Sequence, residues 1–170
     1  EATHHSKEFF DIKAKFFKYL VENQNVKAFL MEESYPAEAG INEWISGGEG
    51  DIKTMAQHFS IIPWQCKEVL NLLQWIRTYN IGKPKEEQVR FYGIDIQTVQ
   101  GISQDIRLFA EKNAIQINEA LLSVADSCAN ERFMYQRPAP DWASTQIPKL
   151  KEIEKALIEK KSSLDSNHHQ

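Results

Sequence analysis

The chain has 170 residues, of which 42% are hydrophobic and 26% charged, enough apolar material for one domain-sized globule with a buried core. Its formal charge of −4, with no dense Lys/Arg run outside the last helical segment, excludes the electrostatic footprint of a nucleic-acid or anionic-membrane partner. No apolar stretch approaches the ~20 residues of a membrane span.

In chain order, the first apolar stripe has Phe9, Ile12, Phe16 and Leu20 and, offset by one, Phe10, Ala14, Phe17 and Val21, which predicts a helix over 6–21. Glu22-Asn23-Gln24-Asn25 predicts a turn. The nearly continuous run Val26-Lys27-Ala28-Phe29-Leu30-Met31 predicts a buried parallel strand that stops at Glu32 and Glu33. Pro36 opens a helix through Trp44, and Asp51 is a good N-cap for the next one. Between them Gly47-Gly48-Glu49-Gly50 lacks the Lys-Ser/Thr of a phosphate loop and reads as a turn. After Pro63 a further helix puts Val69, Leu72, Leu73, Ile76 and Tyr79 on its buried face and ends at Asn80 and Gly82. Val89-Arg90-Phe91-Tyr92-Gly93-Ile94 is a second strand, closed by Asp95.

Three helical stripes follow: Ile102, Ile106 and Phe109; Ile117, Leu121, Val124 and Cys128; and Ile147, Leu150, Ile153 and Leu157. Pro138 and Pro140 separate the last two. Beyond Glu159 the polar composition predicts a frayed tail. Cys66 and Cys128 lack the spacing of a zinc site and read as small, reduced hydrophobes.

This order predicts an α/β fold, a partial parallel sheet flanked by helices with a C-terminal helical insertion. The boundaries are 1–99 for the α/β core, 100–165 for the insertion and 166–170 for a disordered tail. Two strands do not make a stable sheet. The remaining strands are therefore expected outside these residues, one of them immediately before Glu1.

Ligands of open parallel sheets bind beyond the carboxyl ends of the strands. Glu32 and Asp95 close the two strands, and a strand entering at Glu1 would put Glu1-Ala2-Thr3-His4 at the same rim. A histidine among carboxylates suits general-base work, because a carboxylate can fix its tautomer. Acids after strands are also common as helix caps or solvated loop residues, and this alternative stands for Asp95. Strand alternation lets only one of Glu32 and Glu33 face a given site. Trp64, Trp75, Phe91 and Tyr92 have core spacing, and Arg90 and Glu68 carry the charges of a buried ion pair.

Several of these segments resemble, in order and spacing, the erythromycin esterase family. Glu1-Ala2-Thr3-His4 followed by Glu8-Phe9-Phe10 is similar to its Gly-Glu-x-x-His motif and the helix after it. Met31-Glu32-Glu33-Ser34-Tyr35-Pro36 resembles the next strand, with its closing acid and aromatic-Pro pair. Trp64 with Glu68, then Trp75-Ile76-Arg77-Thr78-Tyr79-Asn80 and Arg90-Phe91-Tyr92-Gly93-Ile94-Asp95-Ile96-Gln97, resemble further signatures. The likeness runs from Glu1 to about Gln97.

The resemblance implies the N-terminal part of a hydrolase that opens a cyclic ester with no covalent enzyme intermediate. It implies His4 as the base that activates water, with Glu1 and Glu32 around it, and Lys13 and Asp95 on the substrate side. Lys13 stands where the resistance enzymes carry arginine, and an ammonium does not reproduce a bidentate guanidinium contact. The expected partner is a small-molecule ester or lactone, macrolides among the candidates, in a bacterial cytoplasmic setting. No cofactor and no metal is expected. The isolated segment should be inactive, since the family's further histidines have no counterpart here. The chain opens on Glu1 rather than Met, which leaves an upstream targeting segment open. Two competing readings are a metal-dependent hydrolase using Glu1, His4, Glu32 and Asp95 as ligands, and a non-catalytic ligand-binding homologue.

Overall fold

A computed structural model describes residues 3–96, 98, 99, 101–130 and 141–167, with side chains up to 160. Glu1, Gln97 and the Pro138/Pro140 break lie outside the described residues. The chain divides into two units, Glu1–Thr98 and Val99–Gln170.

In the first unit α1 (Lys7–Gln24) runs past the turn predicted at Glu22. Asn25 alone makes the turn, with a left-handed φ of 54° and its N–H on the Leu20 carbonyl, a conformation asparagine tolerates. The chain continues through β1 (Ala28–Ser34), α2 (Ala37–Ile45), α3 (Ile52–Ala56), a 3-10 turn (Ile62–Gln65) and α4 (Lys67–Asn80) to β2 (Arg90–Asp95). Asp51 caps α3 as predicted, in a capping box with Thr54.

The two strands pair in parallel, Phe29 beside Phe91 and Leu30 beside Tyr92. Both glutamates lie inside β1 rather than after it. The register slips between Met31 and Ser34, and this bulge leans over Gly93. A Cβ there would stand 2.6 Å from the Glu33 and Ser34 carbonyl oxygens, so the position requires glycine. One face of the sheet is packed, with Val89 and Phe91 fully buried together with Ile41, Ile45, Leu73 and Ile76 of α2 and α4. The other face leaves Leu30, Tyr92 and Ile94 exposed. The apolar runs predicted burial on both faces; the described residues cover one of them.

The outer edge of β2 is closed by side chains. Arg90 N–H bonds the Lys27 carbonyl, so its odd-numbered neighbours direct their backbone groups away from β1. Asn80 accepts from Val89 N–H (2.7 Å) and donates to the Val89 (2.8 Å) and Ile45 (3.1 Å) carbonyls. Asn42 treats Phe91 likewise, accepting and donating at 2.9 Å. Glu38 accepts from Gly93 N–H at 3.0 Å. These carboxamides stand in for a neighbouring strand, which leaves β1 as the edge where the sheet can grow. Asn80 was predicted as a helix-end marker; it is fully buried, one position beyond the Tyr79 expected on that stripe.

Glu33 is the other buried polar anchor, fully enclosed. Its carboxylate accepts the N–H groups of Ser34 (2.7 Å), Ser60 (2.9 Å) and Ile61 (3.2 Å), and the Ser60 hydroxyl as well. The three backbone N–H groups can only donate, and the carboxyl oxygens supply the acceptors they need. Arg77 closes the carboxyl end of α2 by donating to the Trp44, Gly48 (3.0 Å) and Gly47 (3.5 Å) carbonyls.

The second unit consists, among the described residues, of α5 (Ile102–Lys112), α6 (Glu119–Cys128) and α7 (Trp142–Asn167). Arg107 of α5 holds Glu119 at 2.9 Å and Asp126 at 2.6 Å on α6, and this keeps both carboxyls below their usual range. On α6 the buried residues are Leu122 and Ala125, a rotation of one position from the predicted stripe. Ile117 precedes the helix. α7 carries Pro148 within it and continues to Asn167, past the polar tail predicted from Glu159. Cys66 and Cys128 are free thiols, and burial pushes that of Cys128 up.

Replacing Asn80 by Leu strands the Val89 and Ile45 backbone groups, and Glu33→Gln turns an amide toward donors. Each should cost roughly 3 kcal/mol, on the scale of one or two buried polar groups left unpaired. Urea unfolding of each variant against the parent chain checks this.

Candidate functional site

Eighteen residues of α1 rise about 27 Å and return through a short link to β1, so helix and strand run antiparallel. The start of α1 therefore lies at the carboxyl end of β1, and the turn that carries His4 meets the end of the strand. His4 Nε2 is 4.0 Å from Glu32 Oε2. That exceeds a direct hydrogen bond and suits one shared water. The side chains are 42% and 54% exposed. A contact this open adds little to stability, so the fold does not explain its presence. The neighbouring Glu33 is turned the other way and spent on the backbone of 60–61, which settles the alternation in favour of Glu32 at the rim.

Trp64, predicted as core, is buried but serves the rim directly. Its indole N–H donates to the Glu32 carbonyl at 2.8 Å. Its ring meets the His4 imidazole edge to face at 4.8 Å between centroids and touches Phe10 of α1 at 5.8 Å. Sequence spacing gave no sign of this, because the contact depends on the 3-10 turn that presents the indole.

His4, Lys13 and Glu32 line one groove of about 530 Å³ with Trp64, Glu68 and a mostly apolar wall. Lys13 Nζ lies over the Phe10 ring at 5.7 Å. Ala28, Phe29, Leu30, Met31 and Glu32 all contribute to the groove. Consecutive strand residues point to opposite faces, so a surface that touches all five is the strand's edge. The groove is thus the open side of β1, roofed by α1, with its polar rim at the carboxyl end of the strand. Asp95 is not among its lining residues. Alternation puts it with Phe91 and Gly93, on the face opposite Leu30 and Glu32. The Arg90–Glu68 pair does not form. Arg90 is exposed over the Tyr92 ring at 5.9 Å, and Glu68 faces Lys7 at 4.0 Å. The charges at the start of α1 are otherwise engaged. Hydrogen bonding by Asp11 raises the Lys7 ammonium, and the backbone and Ser6 hold the Glu8 carboxyl down.

Among the described residues no group of three or more His, Cys, Asp or Glu side chains is placed to hold a metal ion. No described helix is long and apolar enough to cross a membrane. Among the described residues the groove offers the His4 imidazole, the Glu32 and Glu68 carboxyls and the Lys13 amine, a set that can move a proton and meet negative charge.

Comparison with known proteins agrees with this architecture. The Erythromycin esterase type II protein of Escherichia coli is 28% identical over 134 residues, which cover 74% of this chain and 30% of that protein. A solved Bacillus cereus protein superposes with a TM-score of 0.80 at 25% identity, over 98% of this chain and 41% of its own. A solved succinoglycan biosynthesis protein gives 0.80 at 19% identity, over 95% and 41%. The second likeness shows the fold alone. The chain spans 30% to 41% of the length of these relatives, and its fold corresponds to part of their larger one. The family model named Erythromycin esterase matches residues 21–170, extending through the helices that the motifs did not reach, and the chain belongs to the erythromycin esterase family.

Proposed function

We propose that this chain supplies one side of the cleft of a metal-independent hydrolase that adds water to a carboxylic ester or lactone. The observation that supports this reading is the exposed His4 and Glu32 pair, 4.0 Å apart at the carboxyl end of a parallel strand. A water bonded to both sends one proton toward His4 Nε2 and the other toward Glu32. As the water oxygen attacks the ester carbonyl carbon, His4 takes the first proton and Glu32 keeps the water oriented. The carbonyl electrons move onto oxygen, where a cation lowers the energy of the oxyanion. Lys13 is the cation of this groove. Collapse expels the alkoxide, which recovers the proton from His4, and the product is one water heavier than a lactone substrate. A macrolide lactone is the substrate class that the family's name suggests.

In the intact protein His4→Ala should lower kcat by 10² to 10⁴, the usual contribution of a general base. Mass spectrometry of a lactone panel, erythromycin included, reads the gain of one water. Turnover undiminished by the substitution would remove His4 as the base. Dialysis against a chelator should leave the rate unchanged; loss on dialysis with recovery on added divalent metal would favour the metal-dependent alternative.

A further inference from the structure

We infer that Trp64 is a positioning residue that sets the distance between His4 and Glu32, an inference that rests on the hydrolase reading above. The indole is 3% exposed and makes contacts of different kinds to both members of the pair. Its N–H fixes the Glu32 carbonyl at 2.8 Å, which pins the last part of β1. Its ring packs edge to face on the imidazole at 4.8 Å and 77°, which limits where the His4 turn can lie. Its contact with Phe10 ties the first turns of α1 to the same point.

The indole is in turn held from below. The Trp64 backbone N–H donates to the Ile61 carbonyl at 3.0 Å, and the N–H groups of Ser60 and Ile61 end on the buried Glu33 carboxylate. The adjacent glutamates of β1 thereby form a closed circuit. Glu33 fixes 60–61, that segment presents Trp64, and Trp64 places Glu32 against His4. A water shared by two groups tolerates only a few tenths of an ångström of drift in their separation, so loosening the indole should reduce turnover rather than binding.

Trp64→Phe retains an aromatic ring and deletes the N–H, and Trp64→Leu deletes both contacts. In the intact protein Trp64→Phe should lower kcat about ten-fold with KM unchanged, and Trp64→Leu should lower it further. Ile41→Val, a core truncation in α2 remote from the pair, serves as the stability control and should leave kcat unaltered. Equal loss of kcat in Ile41→Val and Trp64→Phe would reduce Trp64 to a packing role and overturn the inference. In the intact protein, NMR should show the His4 ring protons displaced from those of His5 by the indole ring current, and the displacement should vanish in Trp64→Leu. His4 resonances that match His5 in the parent and do not move in the variant would overturn the placement. Hydrolysis that persists in His4→Ala defeats the base assignment instead, and the NMR result decides Trp64 independently of it.

Discussion

The carboxylate of Glu33 is the constraint on which the rest of the site depends. It sits fully buried on the packed face of β1 with its acceptor capacity filled by the amides of Ser34, Ser60 and Ile61. A buried polar group left without such donors is costly, so the strand cannot rotate its parity without losing them. With Glu33 committed inward, alternation turns Glu32 outward, onto the rim that the start of α1 reaches with His4. The buried carboxylate thus determines which glutamate is left at the rim.

The sheet shows a comparable division between its edges. Along β2 the amides of Asn42 and Asn80 and the carboxylate of Glu38 occupy the backbone groups that a third strand would need. Along β1 the edge is open beneath α1, and the sheet's second face exposes Leu30, Tyr92 and Ile94. An unpaired edge and a bare apolar face are features that proteins ordinarily cover. Relatives more than twice as long as this chain have the material to do so.

Periodicity made much of the fold legible. The stripe Val69, Leu72, Leu73 and Ile76 fixed α4, and the apolar runs fixed two parallel strands. Errors fell where the outcome depends on a partner distant in sequence. Asn80 reads as a stop signal because its strand-like bonding to Val89 and Ile45 exists only once the core has closed. Alternation shows that Glu32 and Glu33 diverge but not which is buried, since that is set by amides 27 and 28 residues away. The approach of His4 to Glu32 follows from the order helix then strand, because the turn before α1 meets the carboxyl end of the strand that returns antiparallel to it. Asp95 closes β2 as read from the sequence, and alternation along β2 places it with Phe91 and Gly93.

The central claim is that His4 and Glu32 act on one water as a unit. A double-mutant cycle in the intact protein tests it most directly, with the cost of Glu32→Gln in kcat measured once beside His4 and once in a His4→Asn background. Residues that act together lose their effect together, so the glutamate substitution should be costly in the first case and without consequence in the second. Equal losses in both backgrounds would mean that the carboxylate works independently of the imidazole, and would contradict the account.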